Sequence, residues 1–276
     1  MNLFVGSLSE NYFVNPNGLA FDFTNKSDIT FIEFVGANNT LYSVKKKLDF
    51  YKKFLFSKLA KHINVVIVGD NKLNGKLYTC NYSGVLGTCN SVWELGNILY
   101  NKIYIENNTK KTVVFGDCGG SLPAILTSTI VPYHSINFTT PYYQVIGGNH
   151  DFDTSQYSIW FAREICVHVH NTENSYKQYF DTLDFYEQYT RNQSNYLNLH
   201  WANTVVGTDL LFRDKAKLLP KRSNFKIIDH LVPSTVEGHL LASYLVKTKK
   251  WYQMIIEEIK IQQSIIDTFN KNSVAG

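Results

Sequence analysis

The stretch Thr112-Val113-Val114-Phe115-Gly116-Asp117-Cys118-Gly119-Gly120-Ser121 decides how the rest of the chain is read. Its first four residues are β-branched or aromatic and read as a strand, and Ser121 to Ser128 has helical character. Gly116 to Gly120 is therefore a strand-to-helix turn with Cys118 at its centre. A side chain presented from so cramped a turn needs neighbours without Cβ atoms that would strike the strand or the helix. The amide of Gly119 and the helix start then face any negative charge developing beside Cys118. This is the context of a nucleophile elbow, with Cys where Ser is commoner. A thiol at such a position is more acidic than a free one. A structural cysteine in a glycine-rich turn, or a phosphate-binding turn, has the same spelling. Ser121, about a turn into the helix, is the local rival as nucleophile.

Working outward, Asn64-Val65-Val66-Ile67-Val68-Gly69 is a near-continuous apolar run, as expected of a strand buried on both faces of a parallel sheet. Ile29 to Val35 reads as another strand, and residues 11–24 as shorter ones broken by Asn15-Pro16-Asn17-Gly18. Val44, Leu48, Tyr51, Leu55 and Leu59 recur at steps of three and four among lysines, which predicts a helix with an apolar face and a solvated lysine face. The alternative for those lysines is a surface for an anionic polymer or a membrane. Ser91 to Tyr100 reads as helix, Ser135 to Phe138 and Leu197 to Val206 as strands, and Leu210 to Leu219 as helix. Phe225 to Ile228 reads as a strand, and Gly238 to about Phe269 as one long helix. Residues 142–194 are irregular, aromatic and charged, and read as an insertion or cap. The alternation predicts an α/β fold over 1–276 in a single domain, with a mostly parallel sheet and helices on both faces.

Composition sets the outer bounds. At 276 residues, 44% hydrophobic and 18% charged, the chain is an ordinary globular protein and not a largely disordered one. A net charge of +4 is mild, and no nucleic-acid-binding motif accompanies it. The excess of Asn, Lys, Ile and Tyr suggests an AT-rich, bacterial genome. Cys80, Cys89, Cys118 and Cys166 show neither C-x-x-C pairing nor metal-ligand spacing; Cys80 and Cys89 could pair, but spacing does not establish it. The N-terminus lacks signal-peptide features and no apolar run is long enough to span a bilayer. The expected location is the cytoplasm, with peripheral contact to the inner membrane left open, as is the oligomeric state.

Chain order supplies partners for Cys118. In hydrolase triads of this type the nucleophile is followed by an acid and then a histidine. Asp209 comes just past the predicted strand ending at Val206, and His239 follows the last predicted strand with Gly238 before it. Each has a plainer reading, Asp209 as a cap for the helix at Leu210 and His239 as a first-turn helix residue. Asp229 and Asp214 are the substitute acids.

With Glu33-Phe34-Val35-Gly36, Val65 to Asp70, the Cys118 elbow, Gly207-Thr208-Asp209 and Gly238-His239 in this order, the chain resembles the capsular polysaccharide O-acetyltransferases of α/β-hydrolase fold. The resemblance runs from about residue 29 to the C-terminus, and the family has Ser where this chain has Cys118. It implies an α/β-hydrolase-like fold and an O-acetyltransferase or other acyltransferase acting on a glycan or small-molecule acceptor. An esterase of the same fold is the alternative. It also implies a second oxyanion donor, beside Gly119, from the backbone of Gly36 or Ala37. No cofactor or metal is needed for this chemistry, and acetyl-CoA is a candidate acyl donor. Tyr157 or Trp160, in the 142–194 segment, would then pack against the acceptor sugar.

A reading from another class uses Gly116-Asp117 with Gly148-Asn149-His150-Asp151, which resembles the metal-holding blocks of metallophosphoesterases. Three parts of that pattern are missing. No D-x-H precedes Gly116, Gly120 stands where the block's second carboxylate belongs, and Gly238-His239 continues as Leu240-Leu241 rather than G-H-x-H. His168 and His170 would share one face if their segment were a strand and are the remaining candidate ligands, although alternating polar positions are more often solvated; a non-catalytic α/β binding protein is the third class.

Overall fold

The structure, a computed structural model, describes residues 10–14, 18–35, 44–69, 92–117, 134–138, 196–205 and 225–274, with isolated positions between 120 and 132 and between 210 and 217. Its strands are β1 (Tyr12–Val14), β2 (Leu19–Asp22), β3 (Ile29–Phe34), β4 (Asn64–Val68), β5 (Lys111–Asp117), β6 (His134–Phe138), β7 (Tyr196–Ala202) and β8 (Phe225–His230). They form one sheet in the order β1-β2-β4-β3-β5-β6-β7-β8. β1 and β2 form an antiparallel hairpin, and β2 joins β4 antiparallel. From β4 to β8 every pairing is parallel.

The α-helices are α1 (Val44–Leu59), α2 (Val92–Tyr100), α3 (Leu241–Lys247) and α4 (Lys250–Val274). One face of the sheet presents Phe31, Val65, Ile67, Val113, Phe115, Leu199 and Trp201 to α1, α3 and α4 in a continuous apolar core. Trp251 of α4 anchors this core, its ring 5.0 Å from Phe115 edge-on and 6.0 Å from Tyr51 of α1. On the other face, Leu99 of α2 and Ile103 line one cavity with Leu19, Phe21 and Val66. The Tyr104 hydroxyl meets the Thr112 hydroxyl there at 2.8 Å. A methyl added to Gly96 of α2 would sit 3.0 Å from Ile130, so the segment after the Cys118 turn packs beside α2. Helices cover both faces, as expected of a parallel sheet.

Several boundaries differ from the sequence reading. The predicted long helix from Gly238 is a 3-10 turn (Gly238–Leu240), then α3, then α4. The break is at Lys249, whose φ of 61° is left-handed, while Thr248 turns its hydroxyl onto the Tyr244 carbonyl at 3.0 Å. The helix ending at Tyr100 runs on as a π-helix, Asn101–Glu106, closed by the Asn107 side-chain amide on the Lys102 carbonyl at 2.6 Å. β7 stops at Ala202, short of Val206. The lysine face of α1 is only partly solvated. Lys47 pairs with the buried Glu33 of β3 at 2.7 Å, and Lys52 with Asp22 of β2. Both charges are therefore turned onto the sheet and offer less to an anionic partner. Among the described residues no helix is long and apolar enough to cross a membrane.

Candidate functional site

β3 and β5 are neighbours whose connections depart in opposite directions. β3 leads through α1 to β4 on one side, and β5 leads through helical backbone at Ser121, Ala124 and Thr127 to β6 on the other. Ligand sites in open α/β sheets form at such a switch point, beyond the carboxyl ends of the strands. Gly116 pairs with Phe34 at this edge, and Asp117 is the last residue of β5. Cys118 is bonded to it.

Gly120 shows why the turn is spelled with glycine. A Cβ there would lie 2.1 Å from the Phe34 carbonyl oxygen and 3.2 Å from the Val35 carbonyl carbon, to which Gly36 is bonded. The helix start after the turn is thus pressed on the end of β3, where the second oxyanion donor is expected. No side chain fits between them. Ser121, the local rival, is fully buried at the start of the helical backbone that follows the turn.

The chain leaving β7 and the chain leaving β8 meet just past the ends of those strands. The chain turns at Asn203 and Thr204 after β7, and the Asn203 amide donates to the His230 carbonyl at 2.9 Å. Past β8 it doubles back, so that a Cβ on Gly238 would lie 2.4 Å from Val205 Cα and 2.7 Å from the Thr204 carbonyl carbon. The 3-10 turn that contains His239 therefore sits against the chain leaving β7.

Cys118, Gly119, Asp209, Gly36 and Ala37 lie outside the described residues, and of His239 the backbone alone is described. The same holds outside that set for the 142–194 segment with Tyr157 and Trp160, for Asn149, His150, Asp151, His168 and His170, and for Cys80 and Cys89. Among the substitute acids, Asp229 is occupied. Arg213 Nε and a terminal nitrogen grip its two oxygens at 2.8 and 2.9 Å, with Lys217 at 3.4 Å. That guanidinium, beside the Lys217 ammonium, holds the Asp229 carboxyl below the usual range. A carboxylate clamped in this way keeps fewer lone pairs for an imidazole. Asp214 is mostly exposed and 4.0 Å from Arg213.

Two features of this edge had no signal in the sequence. His200 of β7 and His230 of β8 are hydrogen-bonded to each other at 2.9 Å, and the Asn203 carbonyl side-chain oxygen accepts the Val232 amide at 2.8 Å. Both depend on register between strands that lie far apart in the chain.

The chain superposes on esterase B from Lactobacillus rhamnosis over 91% of this chain and 84% of that one, with a TM-score of 0.51 and 11% identity. The fold is the α/β-hydrolase fold. Also similar to this α/β-hydrolase chain is an esterase from Pyrococcus furiosus, at TM-score 0.48 and 15% identity over 94% of this chain and 96% of that one. A third is an esterase from Pyrobaculum calidifontis, at 0.46 and 12% over 96% and 90%. No protein-family model matches the sequence, and no curated protein matches it.

Proposed function

We propose that this α/β-hydrolase chain performs acyl-ester chemistry, with Cys118 as nucleophile, His239 as base and acid, and Asp209 orienting the imidazole. The observation that carries the reading is the close fit of Gly120, two residues past Cys118, on the end of β3 at the switch point between β3 and β5. The description of the Lactobacillus protein of like fold as an esterase adds support. Cys118 Sγ attacks the acyl carbon while its proton passes to His239. The negative oxygen of the tetrahedral intermediate is met by backbone amides of Gly119 and of Gly36 or Ala37. Collapse expels the alcohol or thiol with the proton from His239, leaving an acyl thioester on Cys118. An acceptor oxygen, deprotonated by His239, then attacks that thioester and restores the thiol.

When the acceptor is water the enzyme is an esterase, and this is the primary reading. When the acceptor is a glycan or small-molecule hydroxyl it is an acyltransferase, a reading favoured by the cysteine itself. Acyl transfer from an acyl-CoA to a thiol exchanges one thioester for another, and onward transfer to an oxygen runs downhill. Aryl esters of graded chain length, assayed with and without saccharide acceptors and acetyl-CoA, separate the two. Aryl-ester turnover that vanishes in Cys118→Ala supports the esterase. Acetylated saccharide formed at the expense of hydrolysis supports the transferase. Turnover that survives in Cys118→Ala contradicts both.

A further inference from the structure

The segments that leave β7 and β8 are bound to each other at both ends of the 231–237 loop. At the start of the loop, Asn203 ties the strand ends together twice, its amide donating to the His230 carbonyl at 2.9 Å and its Oδ1 accepting the Val232 amide at 2.8 Å. At the far end, Gly238 is pressed against Thr204 and Val205. Between the two points the Val236 amide closes a turn onto the Pro233 carbonyl at 2.9 Å, and the proline ring fixes one of the remaining torsions. Leu231 is 89% exposed whereas Val232 is 8% exposed, so the chain pivots inward at Val232. An amide at such a pivot needs a partner, and Asn203 supplies it.

We propose that Asn203 is a positioning residue of the site, fixing the course of the 231–237 loop and with it the Gly238–Leu240 turn that carries His239. The inference rests on the reading of Cys118 and His239 given under the proposed function. Asn203 is itself exposed, so water replaces its oxygen when the side chain is cut back. Its loss therefore costs little of the fold while freeing the entrance to the loop. Asn is suited to the task because Oδ1 reaches the amide at two bonds from Cβ, and Asp, of the same length, retains that acceptor.

The test reads the acidity of the Cys118 thiol, which depends on where the imidazole stands. Alkylation of Cys118 by iodoacetamide is followed against pH at the level of its peptide, beside kcat and KM on an aryl ester. His239→Ala should move the alkylation midpoint up, towards that of an ordinary thiol. Asn203→Ala, and Asn203→Leu as a variant of similar shape, should move it part of the way. Both should lower kcat about tenfold with KM within about twofold and little change in Tm, while Asn203→Asp behaves as the parent. A midpoint and kcat unchanged in Asn203→Ala and Asn203→Leu, with His239→Ala shifted, overturn the role of Asn203 alone. No shift in His239→Ala overturns the triad reading and the inference with it.

Discussion

Nδ1 of His200 stands 2.9 Å from Nε2 of His230, with the rings 5.2 Å apart and 29° from parallel. One nitrogen must carry the shared proton and the other must not, so the pair cannot hold protons on both facing atoms. Burial drives His200 down to about 3. Burial lowers His230 as well, with Lys250 of α4 pushing the same way and Asp229 opposing.

The sign of the linkage follows. Both groups bind protons more weakly folded than unfolded, so the unfolded chain takes them up first as pH falls. Stability is full above the ordinary histidine value near 6.5 and is lost progressively below it, towards the folded value of about 3 for His200. His200→Asn, which keeps a hydrogen-bonding atom near the Nδ1 position, should give a shallower fall in Tm between pH 6.5 and 4. Parallel curves for the two proteins would mean that other groups set the acid limit.

Gly120 and Gly96 make a contrasting pair. A methyl on Gly120 overlaps backbone, with 2.1 Å to the Phe34 oxygen, and no side-chain rotation relieves it. Gly120→Ala should cost about 3 kcal/mol or more in denaturant unfolding and abolish ester turnover. At Gly96 the nearest atom is the tip of Ile130 at 3.0 Å, which can swing away. There the better helix propensity of Ala, about 1 kcal/mol, should leave stability within about 1 kcal/mol of the parent.

Lys47 and Glu33 form an ion pair whose side chains are 15% and 3% exposed, between α1 and β3. Lys47→Ala leaves the Glu33 carboxylate buried without its counter-ion and should cost about 3 kcal/mol. Lys47→Met with Glu33→Gln should recover part of that loss. A Lys47→Ala protein as stable as the parent would mean that water reaches Glu33.

How much of this was legible follows from where the information lies. The runs at 64–69 and 112–115, the spacing of Val44, Leu48, Tyr51 and Leu55, and the Asn-Pro-Asn-Gly break are local patterns, and they give the strands, α1 and the hairpin. The Gly-Asp-Cys-Gly-Gly spelling announced a tight strand-to-helix turn, and the fit of Gly120 on Phe34 shows why it is needed. The break at Lys249 carries no Gly or Pro, because Thr248 and a left-handed lysine make it. The pairing of Lys47 with Glu33, the clamp of Arg213 on Asp229, the histidine pair and the Asn203 tie join distant residues. No local pattern encodes them.

Chelation distinguishes ester chemistry from the metal reading of Asp117, Asn149 and His150. Acyl transfer through a thiol needs no cation, so turnover should be unaffected by EDTA. Loss of activity in EDTA, restored by manganese, would favour phosphate-ester hydrolysis at that set of residues.

The identity of the nucleophile is tested most directly by trapping the acyl-enzyme. The protein is mixed with an activated acetyl donor, an aryl acetate or acetyl-CoA, quenched in acid within the first turnover, and mapped by peptide mass. The account predicts one acetyl group on Cys118, absent from Cys118→Ala and retained in Ser121→Ala. Acetyl label that persists in Cys118→Ala, or that maps to another residue in the parent protein, would contradict it.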